Sequence, residues 1–198
     1  MTLQEIVDQS MEKLKTFNVG PIMPALRAAN DGAIDDVLNV NGCANYQWIP
    51  GLIEIVKPKQ IIELGGAMGV WDLMVLNGKY QDFNLFSITL EEGGLEFSYV
   101  VDNYPNFFPS LGTDLDLSNW PKDLDLTKTD ICYFDSLHTA DHLQKEIDLY
   151  TPFFKRGTIL IFDDIRSFGL NPVWEKLPYE KIEITNPCHF TGYGICRI

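Results

Sequence analysis

The chain has 198 residues, 45% of them apolar and 12% aromatic, and a formal net charge of −13. That length and composition suit one packed domain with a sizeable core and exclude a disordered chain. The acidic balance argues against a nucleic-acid partner, because a phosphate backbone would be repelled and no run of Lys or Arg offers a local exception.

In chain order, Thr2 and Glu5 form a capping-box pattern, and Leu3, Ile6, Val7, Met11 and Leu14 repeat at helical spacing, which predicts an amphipathic helix ending near residues 17–20. Residues 21–45 mix Pro, Gly and Asn with short helical pieces and read as a lid or packing segment. A helix over 46–56 turns Trp48, Leu52, Ile55 and Val56 inward and stops at Lys57-Pro58. Residues 61–64 then form a short buried strand, followed at once by Gly65, Gly66 and Gly69 and by an apolar helix over 70–76. Glycines at such a hinge let the backbone turn tightly and approach a ligand, and free N–H groups of the new helix attract polar ligand groups, so a nucleotide-like cofactor is expected there. Further strands are expected at 84–90, 107–114, 131–134 and 158–162, with helices at 95–103, 140–150 and 173–177. Leu143, Ile147 and Tyr150 form the inner face of the 140–150 helix. Residues 180–185 and 192–198 alternate as two strands joined by a short connection, which favours an antiparallel hairpin.

The glycine turn discriminates between cofactors. Counting from Gly65, the third and sixth positions are Ala67 and Val70, a poor match to the G-x-G-x-x-G dinucleotide loop. The stretch Glu63-Leu64-Gly65-Gly66-Ala67-Met68-Gly69 instead resembles the first motif of the class I S-adenosylmethionine-dependent methyltransferases, acidic-x-Gly-x-Gly-x-Gly, with Ala67 for the middle glycine as in the catechol O-methyltransferase-like branch. The terminal hairpin extends the resemblance over about residues 46–198. It implies an α/β, Rossmann-like, seven-stranded methyltransferase sheet, mostly parallel with a C-terminal antiparallel hairpin and helices on both faces. The length predicts a single domain over 1–198, with 1–45 as a helical lid or packing segment, and the resemblance implies that the 21–45 stretch lies over the cofactor mouth. The expected cofactor is S-adenosyl-L-methionine, held by Glu63, Gly65, Gly66, Ala67, Gly69, Glu91, Asp114 and Asp135. Glu91 stands about 20 residues past the turn, where doubly wound folds hold ribose hydroxyls, although the simplest alignment puts the family's acid on Thr89. Asp114 is expected at the adenine amino group, with Asp116 competing.

The chemical end begins at Asp135, after one buried strand, and continues at Asp163 and Asp164, after another. Three converging carboxylates repel one another unless a cation neutralises them, and oxygen ligands suit Mg²⁺ or another divalent cation. In the O-methyltransferases this chain resembles, a metal is held by an Asp after the fourth strand and an Asp-Asp or Asp-Asn pair after the fifth, which falls on Asp135, Asp163 and Asp164. A Lewis acid there would help deprotonate a hydroxyl acceptor on a small molecule. His138, three residues after Asp135, is the expected general base and catalytic residue together with Asp135. His142 reads as surface, and His189 could face substrate. Met68 and Met74 read as core, whereas Trp71 opens the helix beside the cofactor. Cys43, Cys132, Cys188 and Cys196 lack C-x-x-C spacing and read as free thiols of a reducing, cytoplasmic protein, with no signal peptide and no membrane partner expected. Two other functions remain open from the sequence: a nicotinamide (NAD)-dependent oxidoreductase, and a catalytically silent S-adenosylmethionine-binding module.

Overall fold

The computed structural model describes residues 1–14, 48–66, 69–90, 100–186 and 189–198. The apolar runs become parallel strands β1 (Gln60–Leu64), β2 (Asn84–Thr89), β3 (Phe107–Leu111), β4 (Ile131–Phe134) and β5 (Ile159–Phe162), and the C-terminal hairpin supplies β6 (Glu180–Asn186) and β7 (His189–Arg197). They form a seven-stranded sheet of order β3-β2-β1-β4-β5-β7-β6, in which only the pairings of β7 are antiparallel. The order reverses between β1 and β4, the crevice where open α/β sheets bind ligands at their carboxyl ends. β3 stops at Leu111, short of the expected 114, because Gly112 at φ +138° leaves the extended region. β7 starts at His189, earlier than expected, so the hairpin connection is shorter.

Helices α1 (Leu3–Leu14), α2 (Trp48–Val56), α3 (Val70–Leu76), α4 (Ala140–Tyr150) and α5 (Asn171–Lys176) cover the sheet. The strands bury both faces, so alternate residues feed two cores: Ile61, Leu85 and Tyr133 meet α1, α2 and α3, whereas Ile62, Cys132 and Phe162 meet α4 and α5. The capping box of α1 forms in both directions, from the Thr2 amide to Glu5 Oε2 at 2.8 Å and from the Glu5 amide to Thr2 Oγ1 at 3.1 Å. Leu3, Ile6 and Val7 are buried, and the Leu3 amide donates to Glu180 Oε1 at the start of β6. Helix α1 is thus a packing element, and its start lies at the end of the sheet opposite the strands' carboxyl termini. The expected lid at 21–45 lies outside the described residues. Cys132 and Cys196 are buried free thiols, as read, while Cys43 and Cys188 are outside the described residues. No helix among the described residues is long and apolar enough to cross a membrane.

Candidate cofactor and acceptor site

A cavity of about 260 Å³ opens at the carboxyl ends of β1 to β4, lined by Gly65, Ile88, Thr89, Leu90, Gly112, Asp114, Asp135, Ser136, Leu137 and His142. Backbone hydrogen bonds fix its floor. The Gly65 and Gly66 amides both donate to the Ile88 carbonyl, at 2.9 and 3.0 Å, and the Asp135 amide donates to the Leu64 carbonyl at 2.9 Å. Gly65 has φ +100°, and a Cβ there would lie 2.0 Å from the Asp135 carbonyl oxygen, so only glycine lets β1 turn beside β4. Gly69, in the left-handed region, caps α3, and its amide donates to Gly66. The turn's amides at Gly65, Gly66 and Gly69 are therefore spent within the protein rather than free for a ligand.

Glu63 does not line the cavity. It is 1% exposed behind the turn and accepts from Ser87 Oγ at 2.5 Å. Burial raises its pKa, and burial together with the charge of Glu63 raises that of fully buried Asp72 well above the usual carboxylate range. Of the residues expected to hold the cofactor, Gly65, Asp114 and Asp135 reach the cavity, Gly66 is buried against Ser87, and Ala67 and Glu91 lie outside the described residues. Thr89, on which the simplest alignment fell, is in the wall. Asp114 lines the cavity, whereas Asp116 is exposed and caps a short 3-10 helix by accepting from the Ser118 amide.

The acids after β4 and β5 come together around Tyr133, whose hydroxyl contacts Asp135 Oδ2 at 3.1 Å and Asp163 Oδ2 at 3.0 Å. Trp71 stacks on Tyr133 at 4.6 Å and 6°, which makes it a core residue that fixes this bridge. His138 Nε2 lies 3.1 Å from Asp135 Oδ1 and 3.4 Å from Asp164 Oδ2, and its ring stacks on Phe168 at 4.9 Å. Asp135 is pushed well up, first by burial and then by the charge of Asp163. The His138 pKa is raised, chiefly by the Asp135 hydrogen bond. Asp164 and Phe168 both adopt left-handed backbone, at φ 56° and 54°, a strained state for such residues that clusters at functional segments.

The expected metal set does not close. Asp163 Oδ1 accepts the Asp164 amide at 2.8 Å, and its other oxygen, like that of Asp135, is turned to Tyr133. Among the described residues, the trio with metal-ligating atoms within 4.8 Å of one another is Asp114, His142 and Glu146. His142 is thus not a surface residue: its side chain is 13% exposed and its Nε2 lies 3.0 Å from Asp114 Oδ1. Its i, i+4 spacing to Glu146 on a predicted helix was the available signal. Phe168 and Ser136 carried no comparable signal. The side chain of His189 lies outside the described residues.

The chain matches no protein-family model and no curated protein. Among solved structures, an SAH-bound methyltransferase from Podospora anserina aligns with a TM-score of 0.67 at 12% identity, over 100% of this chain and 97% of that one. A provisionally named caffeoyl-CoA O-methyltransferase from Staphylococcus aureus aligns with a TM-score of 0.66 at 15% identity, over 98% and 97%. The chain has the class I methyltransferase fold. Aeropyrum pernix fibrillarin, with natively bound S-adenosyl-L-methionine, shares that fold at a TM-score of 0.53 and 16% identity, over 76% of this chain and 71% of that one.

Proposed function

We propose that this chain is an S-adenosylmethionine-dependent methyltransferase that methylates a hydroxyl group of a small molecule in the cytoplasm. The observation that carries the reading is a juxtaposition: Asp135 lines the cavity at the methyltransferase fold's switch point and has its Oδ1 3.1 Å from His138 Nε2. Apolar walls at Ile88, Leu90 and Leu137 with a carboxylate at Asp114 fit a nucleoside, so the cavity suits the cofactor's adenosine end. When bound, the cofactor supplies an electrophilic methyl group on a sulfonium.

A neutral hydroxyl is a weak nucleophile, and the chain's own contribution is to take its proton. With Nε2–H directed at Asp135, His138 offers Nδ1 as the acceptor, and Asp135 stabilises the imidazolium that results. The stacked Phe168 ring restricts His138 to one plane and keeps water from one of its faces. Asp135, Asp163 and Asp164 have the donor chemistry for Mg²⁺; one oxygen each of Asp135 and Asp163 faces the Tyr133 hydroxyl and the other oxygen of Asp163 accepts the Asp164 amide, and no step is routed through a metal.

Calorimetric titration with S-adenosylmethionine, S-adenosylhomocysteine and NAD tests the cofactor, and methyl transfer to a panel of hydroxylated acceptors tests the reaction. Binding of the first two and not NAD is expected. Binding of NAD alone would make the chain an oxidoreductase. Cofactor binding without turnover on any acceptor would leave a silent binding module.

A further inference from the structure

The polar groups beyond β4 and β5 close into a circuit. His138 Nε2 lies 3.1 Å from Asp135 Oδ1, and the other oxygen of Asp135 faces the Tyr133 hydroxyl at 3.1 Å. The same hydroxyl stands 3.0 Å from Asp163 Oδ2, while Asp163 Oδ1 accepts the Asp164 amide at 2.8 Å. Asp164 Oδ2 then returns to His138 Nε2 at 3.4 Å. Four of the five members follow the strands; Tyr133 alone lies within one, in β4, and is fully buried.

Packing does not account for its hydroxyl. The strand neighbour Ile161 and the stacked Trp71 ring would meet a phenyl group equally well. What the hydroxyl adds is one donor between two carboxylates. It ties down one oxygen of each, so Asp135 turns Oδ1 toward His138 and Asp163 turns Oδ1 toward the Asp164 amide. The second tie matters because Asp164 opens a turn held in left-handed backbone, at φ 56°, that reaches Phe168 at φ 54°. Such a backbone persists only where its surroundings over-determine it. The Ser167 amide donates to the Asp164 carbonyl at 2.8 Å, the Arg166 amide to the Thr191 carbonyl at 2.8 Å, and the Phe168 ring stacks on His138. Through its two carboxylates the buried hydroxyl thus reaches both sides of the histidine.

We infer that Tyr133 is a positioning residue for methyl transfer, whose hydroxyl sets the Asp135 and Asp163 carboxylates so that His138 is held in one orientation toward the acceptor. The inference rests on the reading of His138 as base and adds the residue beneath the site that aims it.

The test uses Tyr133→Phe, which keeps the ring and its stack on Trp71 and deletes only the hydroxyl. With the hydroxylated acceptor that the wild-type protein turns over fastest, kcat is expected to fall by roughly 10–100-fold, the scale of a misplaced catalytic group. Calorimetric affinity for S-adenosylhomocysteine and the acceptor KM should stay within about 2-fold. In a His138→Ala background the same change should lower the rate by less than about 2-fold, because a residue that acts through His138 has nothing left to aim. NMR of the His138 ring in the S-adenosylhomocysteine complex should show one sharp set of signals in the wild-type protein and an exchange-broadened set in Tyr133→Phe. Should that variant not fold, Asp163→Ala cuts the circuit at its next member, removes a buried charge and carries the same expectations. A wild-type rate in the variant, or an equal fractional loss with and without His138, overturns the inference. If the wild-type protein methylates no acceptor, the reading of His138 as base falls instead, and the ring signals alone decide: a ring as sharp in the variant as in the wild-type protein overturns the positioning role.

Discussion

His138 and His142 stand four residues apart and face carboxylates in neighbouring parts of one site, yet their surroundings differ. The His138 side chain is 39% exposed, between Asp135 and Asp164, whereas His142 is 13% exposed, against an Asp114 side chain at 8% and a Glu146 side chain at 1%. In the first cluster the histidine is the group that solvent and substrate can reach, and its pKa is raised chiefly by its Asp135 partner. In the second, the deepest group is a carboxyl, Glu146, and burial places the proton there. The same residue types therefore serve two ends: an accessible cluster can exchange a proton with a substrate, and an enclosed one holds its proton still and acts as a fixed hydrogen-bonding wall.

The largest effect should come from the wall the two clusters share. Gly65→Ala places a Cβ 2.0 Å from the Asp135 carbonyl at a left-handed φ, which should cost roughly 2–6 kcal/mol of stability and abolish cofactor binding. Urea unfolding and calorimetry check this; wild-type stability with intact binding would mean that β1 and β4 are not held this closely. The next largest effect separates the clusters. His138→Ala should lower methyl transfer by about 10²–10⁴-fold with cofactor affinity nearly unchanged, the opposite of the pattern expected of His142→Ala, because His142 lines the cavity.

A smaller effect is expected in stability. Glu146 titrates near 9 in the folded chain and at about 4.3 when unfolded. A raised folded pKa means that its contribution is fully present below the unfolded value and is lost as pH rises toward 9. Glu146→Gln should therefore change little at pH 4 and stabilise by up to about 4 kcal/mol at pH 7, rising further toward pH 9. Denaturant midpoints across that range test it, and a gain that did not grow with pH would remove the proton from Glu146.

The first cluster was legible in the sequence and the second largely was not. Asp135, Asp163, Asp164 and His138 follow apolar strand runs, and the carboxyl ends of neighbouring parallel strands must lie close together, so strand assignment alone predicts their meeting. It could not predict their hydrogen bonds, because the Tyr133 hydroxyl that engages Asp135 and Asp163 sits within the strand and reads as core. The second cluster joins a loop after β3 to a helix after β4. Its only local sign is the spacing of His142 and Glu146, which equally describes a solvated helix face. The strands themselves were read to within a few residues, since each is a short apolar run ended by a turn. Their least certain ends, after β3 and at the start of β7, are those where glycine geometry or hairpin register decided the boundary.

The finest prediction concerns the protonation of His138 itself. As a general base the ring must be neutral, and its pKa lies above the usual histidine value of 6.5. The rate at saturating substrates should accordingly fall about tenfold per pH unit on the acid side of that raised value and level off above it. The leading cause of the shift is the Asp135 hydrogen bond, so Asp135→Asn should move the acid limb to lower pH while reducing the plateau, because the amide no longer stabilises the imidazolium formed in the reaction. Parallel observation of the His138 ring by NMR distinguishes a shifted base from a change in the rate-limiting step. A ring that titrates lower in Asp135→Asn while the rate profile stays in place would take the proton transfer away from His138. Coincident movement of both would tie the accessible cluster to the chemistry.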